Sequence, residues 1–291
     1  MQLRLLEYLV ALARERHFAR AAEACHVSQP TLSAGLVALE EELGKRLVDR
    51  ERRFIGLTAA GEAVLPWAQQ VIAACRGLSA AASETKGALR GELRLGSIPA
   101  ALPVAGEFAR ALARLHPAVK LSIRSCTSRE IAHGLAAFEL DAGVTYTAHE
   151  PPPHVIAVPL YEERMHFVTR DDGRVPASIG WAEAMAQRLC LLHQGMQNRR
   201  ILDAWLAERG LSAHPCATAD SYVALLALVG AGYCATIMPD SYVPLLSPWA
   251  RAIPFDEPMP PSPIGLVVSE RAPLGPLASA ALVTAERMRT G

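Results

Sequence analysis

The stretch from Phe18 to Arg50, FARAAEACHVSQPTLSAGLVALEEELGKRLVDR, decides the fold of the N-terminal part of the chain. Phe18 to Cys25 is alanine-rich and favours helix. His26 and Val27 make a short connection, and Ser28 is placed to cap the next helix by accepting from a first-turn N–H. Pro30 falls inside that turn, where a missing N–H costs nothing. The helix runs to about Leu43, and Gly44 supplies its stop. Two short helices joined by a tight turn, the second opened by Gln29, Thr31 and Ser33, make the layout of a DNA-reading helix-turn-helix.

On the N-terminal side, a helix over about Leu3 to Arg16 places Leu6, Leu9, Val10 and Ala13 on one face. That face completes a small core with Phe18, Ala22, Leu32, Leu36 and Leu39. On the other side, Arg50 to Leu57 reads as a short hairpin-like wing. Thr58 then caps a long helix reaching about Lys86, which Pro66 should kink. Along it Val64, Ala68, Val71, Cys75, Leu78 and Ala82 recur in steps of four and three, the period of a coiled-coil seam. A small N-terminal domain offers little surface for so long a seam, which points to a partner helix from a second subunit.

The 291 residues, 51% of them hydrophobic, suffice for two or three domains, and the formal net charge is zero. Attraction to nucleic acid must therefore be local, and Lys45, Arg46, Arg50, Arg52 and Arg53 cluster just after the helix-turn-helix. The acids Glu40, Glu41 and Glu42 read as an exposed helix end. The six cysteines are scattered, without a C-x-x-C pair or metal-ligand spacing, and read mostly as small buried hydrophobes. No signal peptide or bilayer-length apolar run is apparent, so a cytoplasmic protein is expected.

After a break at Gly87 to Gly91 the pattern alternates strand and helix. Strands are expected at Glu92–Gly96, Val119–Arg124, Ala142–Thr145, Val155–Pro159, His166–Thr169, Leu189–His193, Ala235–Met238 and Ile264–Ser269. Helices are expected at Leu102–Leu115, Ser128–Phe138, Ile179–Gln187, Arg199–Arg209, Ser221–Gly230, Pro239–Leu246 and about Pro276–Arg289. In such sheets ligands sit beyond the carboxyl ends of strands, against helix N-termini. That rule selects Ser97 to Pro99, Thr127 with Ser128, and Gln194 to Asn198.

Phe18, Ala21, Ala22, Val27 to Pro30, Leu32, Ser33, Leu39, Glu40, Leu43, Gly44, Leu47 and Arg50 together resemble the DNA-binding domain of the LysR-type transcriptional regulators. The pattern continues into Leu57, Thr58, Gly61 and Glu62. Gly35 stands where the family usually places a long polar side chain, and Val48 where it usually has Phe. The resemblance implies an α+β multidomain chain. Residues 1–58 would be a winged helix-turn-helix and 59–90 a dimerising linker helix and hinge. Residues 91–291 would be an effector domain of two Rossmann-like subdomains of the periplasmic-binding-protein type, 91–160 with 266–291 and 161–265. The chain would cross between them near Leu160 and Ile264.

The resemblance also implies double-stranded promoter DNA as partner, read by a dimer or tetramer, and contact with RNA polymerase. Gln29, Pro30, Thr31 and Ser33 would enter the major groove, with Thr31 at a thymine methyl or a phosphate. Arg50, Arg52 and Arg53 would hold the backbone. Ser97, Pro99, Thr127, Ser128, Gln197 and Asn198 would line the effector cleft, with His193 beside it and Arg199 or Arg200 adding charge. Such a site suits a small carboxylate, and the run Leu191 to Arg199 faintly resembles regulators of one-carbon acid metabolism, which suggests formate. No cofactor, metal or membrane partner is expected.

The same residues bear on other classes of protein. Peroxide-sensing members of the family place a reactive cysteine just after a glycine-rich turn in the second subdomain. Gln197 stands at that position here, and Cys190 falls inside an apolar strand, where thiols are unreactive. No G-x-S-x-G, P-loop, G-x-G-x-x-G or H-E-x-x-H motif supports an enzyme. A small-molecule-binding protein without a DNA role would not carry residues 1–90.

Overall fold

The computed structural model describes all residues except 51–53, 85–87, 172, 174–175 and 291, and of Arg50, Phe54, Ile55 and Glu84 only the backbone. Arg52, Arg53, Lys86 and Gly87 thus lie outside the described residues. The chain divides into two compact units, residues 1–87 and 88–291.

In the first unit, α1 (Leu3–Glu15), α2 (Phe18–Ala24) and α3 (Gln29–Leu43) are followed by a hairpin of β1 (Val48–Arg50) and β2 (Phe54–Leu57) and by the long α4 (Ala59–Glu84). The Ser28 hydroxyl caps α3 by accepting from the Thr31 N–H at 3.3 Å, and Gly44 ends it in the left-handed conformation at φ +65°. Leu6, Leu9, Leu12, Ala22, Leu32, Leu36 and Leu39 are buried together.

The α4 helix departs from the expected single seam. Ala68 and Ile72 are buried in the core of their own unit, with Val64 packed against them. Trp67, Val71 and Leu78 form a different stripe and are 69%, 40% and 73% exposed. A period of three and four residues fits either stripe, so spacing alone merged a core-facing row with an exposed one. Pro66 lies within the helix, which is continuous from Ala59 to Glu84.

The second unit holds two five-stranded sheets. One comprises β3 (Gly91–Ser97), β4 (Val119–Ser125), β5 (Ala142–Tyr146), β6 (Val155–Glu163) and β12 (Ser262–Ser269) in the order β4-β3-β5-β12-β6. The other comprises β7 (Met165–Arg170), β8 (Leu189–Leu192), β9 (Ala217–Ala219), β10 (Ala235–Pro239) and β11 (Ala250–Pro254) in the order β11-β7-β10-β8-β9. Helices α5 (Leu102–Leu115), α6 (Ser128–Ala136), α7 (Trp181–Ala186), α8 (Gln197–Ala207), α9 (Tyr222–Gly230) and α10 (Pro276–Thr290) connect or follow them.

The chain passes between the sheets at Arg164 and again between Pro254 and Ser262. These crossings differ from those expected near Leu160 and Ile264, because β6 and β12 pair antiparallel from Ser262↔Glu163 to Ser269↔Val155. The pairing carries both strands past the expected ends. The two strands not expected, β9 and β11, are sheet edges. The expected helix at Pro239–Leu246 is a 3-10 segment over Asp240–Leu245 containing Pro244.

Candidate functional site

The first unit presents the start of α3 outward. Gln29, Pro30 and Thr31 are exposed and Ser33 is half-buried. The Thr31 hydroxyl lies 2.8 Å from that of Ser28, so part of its bonding capacity is used at the cap. Ala34, Val37 and Ala38 extend the exposed face by two turns, which the reading from polar residues alone had passed over. Gly35 does not belong to that face. A Cβ there would meet the Tyr8 ring at 2.6 Å, so the glycine serves close packing of α1 on α3.

Two residues after α3 hold its exit. Glu40 is buried rather than part of an exposed acidic end, and its carboxylate accepts from the backbone N–H of Leu47 at 2.8 Å and of Val48 at 3.0 Å. Glu40→Ala should leave two buried donors unpaired and cost ~2–3 kcal/mol. Urea unfolding of the full chain should show an earlier transition for the first unit, with the second unit unchanged.

In the second unit a recess opens where strand ends of both sheets meet. Its walls are Ile98, Pro99, Ala100, Thr127, Ser128, Tyr146, Leu192, Met196, Gln197 and Asn198, and it is partly open to solvent, with about one water molecule's space enclosed at its floor. Thr127 caps α6 through a capping box. Its hydroxyl accepts from the Glu130 N–H at 3.2 Å, and its own N–H donates to the Glu130 carboxylate at 2.7 Å. From the other sheet, α8 begins at Gln197. Helix N-termini from both sheets therefore face one recess.

Pro99, Thr127, Ser128, Gln197 and Asn198 are brought together there, while Ser97 and His193 are not. Ser97 is fully buried and its hydroxyl donates to the Ile98 carbonyl. His193 Nδ1 accepts from the Gly195 N–H at 3.0 Å and shapes the turn before α8. Neither arginine is free to add charge. Arg199 is buried against Asp203 and the Leu192 carbonyl, and Arg200 bonds Glu150 and the Gly195 carbonyl.

Behind the recess lies a network that the sequence reading did not anticipate. Glu163, at the very end of β6, is buried and accepts from the Tyr146 hydroxyl at 2.8 Å and from Asn198 Nδ2 at 3.1 Å. Asn198 Nδ2 also donates to the Tyr146 oxygen at 2.8 Å, and the Tyr222 hydroxyl donates to Asn198 Oδ1 at 3.0 Å. Burial, with Asp240 adding to it, pushes the Glu163 carboxyl up to about 8 against the hydrogen bonds from Tyr146 and Asn198, which lower it. Tyr146 and Glu163 belong to one sheet and Asn198 and Tyr222 to elements of the other, so the network ties the two together. The Tyr146 signal was one residue away, since β5 runs past the expected end at Thr145.

The cysteines are more varied than expected. Cys126 and Cys190 are buried, Cys25, Cys75 and Cys234 are half-buried, and Cys216 is exposed. Burial raises the Cys190 thiol pKa well above its ordinary value. Among the described residues no cluster of His, Cys, Asp and Glu is arranged to hold a metal, and no helix is long and apolar enough to cross a membrane.

A helix-turn-helix unit followed by a two-sheet unit with a recess between strand ends defines a class of two-part DNA-binding protein. Residues 3–62 match the bacterial regulatory helix-turn-helix protein model of the lysR family, and residues 86–288 match the LysR substrate binding domain. The DNA-binding transcriptional dual regulator OxyR of Escherichia coli K12 is 31% identical over 282 residues, covering 94% of this chain and 91% of that protein. The hydrogen peroxide-inducible genes activator of Dickeya chrysanthemi is 30% identical over 279 residues, covering 94% of this chain and 91% of that protein. A full-length OxyR variant from Pseudomonas aeruginosa superposes with TM-score 0.73 at 28% identity, covering 99% of this chain and 98% of that one. The chain belongs to the LysR family of transcriptional regulators.

Proposed function

We propose that this LysR-family regulator acts in the cytoplasm, binds promoter DNA as a dimer or tetramer and responds to a small molecule held in the recess between its two sheets. The observation that carries the ligand site is the convergence of the α6 and α8 N-termini, one from each sheet, on Ser128, Gln197 and Asn198. A ligand bridging them would change how the two sheets lie against each other and so alter promoter occupancy and access of RNA polymerase. In this reading residues 1–58 read DNA, 59–90 link and dimerise, and 91–291 sense. The exposed stripe of Trp67, Val71 and Leu78 on α4 supports the dimer, because an apolar helical stripe of that length favours a second helix.

Gln29, Pro30, Thr31 and Ser33 would meet bases, and Arg50, Arg52 and Arg53 the phosphates. Gln29→Ala should keep affinity for unrelated DNA while reducing discrimination of the operator from scrambled sequence about tenfold or more. Quantitative footprinting on the chain's own upstream region checks this, and full discrimination by the variant removes Gln29 from its role.

The names of the relatives raise a peroxide-responsive reading. The neutral amide of Gln197 at the start of α8 argues against thiol chemistry at that point. Unchanged operator binding after peroxide treatment of the purified chain is the expected result. Formate gains nothing from these relatives.

A further inference from the structure

We infer that the recess selects a small uncharged molecule carrying both a hydrogen-bond donor and an acceptor, and discriminates against carboxylates. The inference rests on the recess being the effector site and concerns the chemical class it accepts.

Two side chains facing the recess are more than nine-tenths buried and lack a partner at one atom each, Gln197 at Oε1 and Ser128 at Oγ. The Gln197 amide is held in one sense, since its Nε2 donates to the His149 carbonyl. Turning it over would set two oxygens against each other. Oε1 therefore remains as a pure acceptor, and only a ligand with an N–H or O–H satisfies it. The Ser128 hydroxyl can serve as donor or acceptor, and one small molecule bearing both functions pairs with the two at once.

A carboxylate meets two obstacles. It has no donor for Gln197 Oε1, and two acceptor oxygens brought together there repel. Neither guanidinium of α8 answers its charge, because Arg199 and Arg200 are bonded to Asp203 and Glu150. The two helix N-termini favour an anion, but on the α6 side Thr127 and the Glu130 carboxylate already pair in the capping box. The class that fits is a small amide or alcohol.

Matched pairs of equal size isolate the donor. Calorimetric titration of the full chain with formamide against formate, and acetamide against acetate, should show at least tenfold tighter binding of the amide in each pair. Gln197→Met and Ser128→Ala should each weaken amide binding about tenfold. Tighter binding of the carboxylates, lost in the same variants, overturns the class while keeping the site. Binding of any probe that neither variant changes, or no binding of any probe, overturns the recess as the site and the class with it. Circular dichroism and the thermal transition of each variant confirm that it is folded.

Discussion

Replacing Gly61 by alanine abolishes DNA binding by the full chain while leaving the second unit folded; that is the result expected from the packing of α4 on the wing. A Cβ at position 61 would stand 2.1 Å from the Leu47 carbonyl oxygen, a backbone atom that cannot rotate away. Leu47 cannot retreat, because it is fully buried and its N–H is bound by the Glu40 carboxylate. Its carbonyl also receives the Thr58 N–H at 3.0 Å. The start of α4 is equally fixed, since the Thr58 hydroxyl donates to the Arg46 carbonyl at 2.6 Å and accepts from the Gly61 N–H at 3.1 Å. Overlap at so constrained a place exceeds the ~1–3 kcal/mol usual for overpacking. Differential scanning calorimetry should lose the transition of residues 1–87 and keep that of residues 88–291. Wild-type operator affinity in the variant would show that the helix start shifts freely.

Raising the pH from about 5 to about 9 should destabilise the second unit by several kcal/mol, the other large effect. Glu163 is an acid whose folded value, about 8, lies above the ordinary carboxyl value of 4.5. The folded state therefore binds the proton more tightly than the unfolded chain. The stabilisation is complete below about pH 4.5 and is lost as pH rises through about 8. Above that, a buried charge faces Asp240 and the hydroxyls of Tyr146 and Tyr222. Glu163→Gln keeps an acceptor for Tyr146 and Asn198 without the titration. Its urea midpoint for the second unit should vary less with pH than that of the wild type and exceed it at pH 9. Identical pH profiles for the two proteins would remove Glu163 as the titrating group.

The parts legible in the sequence were those where one local signal had one structural meaning. Ser28, Pro30 and Gly44 bracket α3 because capping and stop chemistry act within a single turn. The long α5 likewise runs from Leu102 to Leu115, as its apolar period indicates. Strands β9 and β11 escaped notice because each is a short edge, ATA and ARAIP, with little of the branched or aromatic character of a central strand. Position 35 misled for a different reason. Glycine is silent about what approaches it, and only the placement of Tyr8 shows that it faces inward.

At the recess, the strand-end rule found Pro99, Thr127, Ser128, Gln197 and Asn198 because backbone topology alone places them. It included Ser97 and His193 wrongly in the wall, since position at a strand end does not decide which way a side chain turns. The Glu163 network lay beyond reach. It joins residues from Tyr146 to Tyr222 across two sheets, and the second of two adjacent glutamates, Glu162 and Glu163, at a strand end reads as an ordinary surface acid.

The central claim is that the recess and the helix-turn-helix belong to one ligand-responsive regulator. It is tested most directly by fluorescence anisotropy of the full chain on its own upstream DNA, titrated with and without saturating formamide or acetamide. The account predicts operator binding that weakens with salt, an affinity shifted by the amide about fivefold or more, and loss of that shift in Ser128→Ala with operator affinity retained. No operator binding under any condition, or an amide effect that persists in Ser128→Ala, would contradict it.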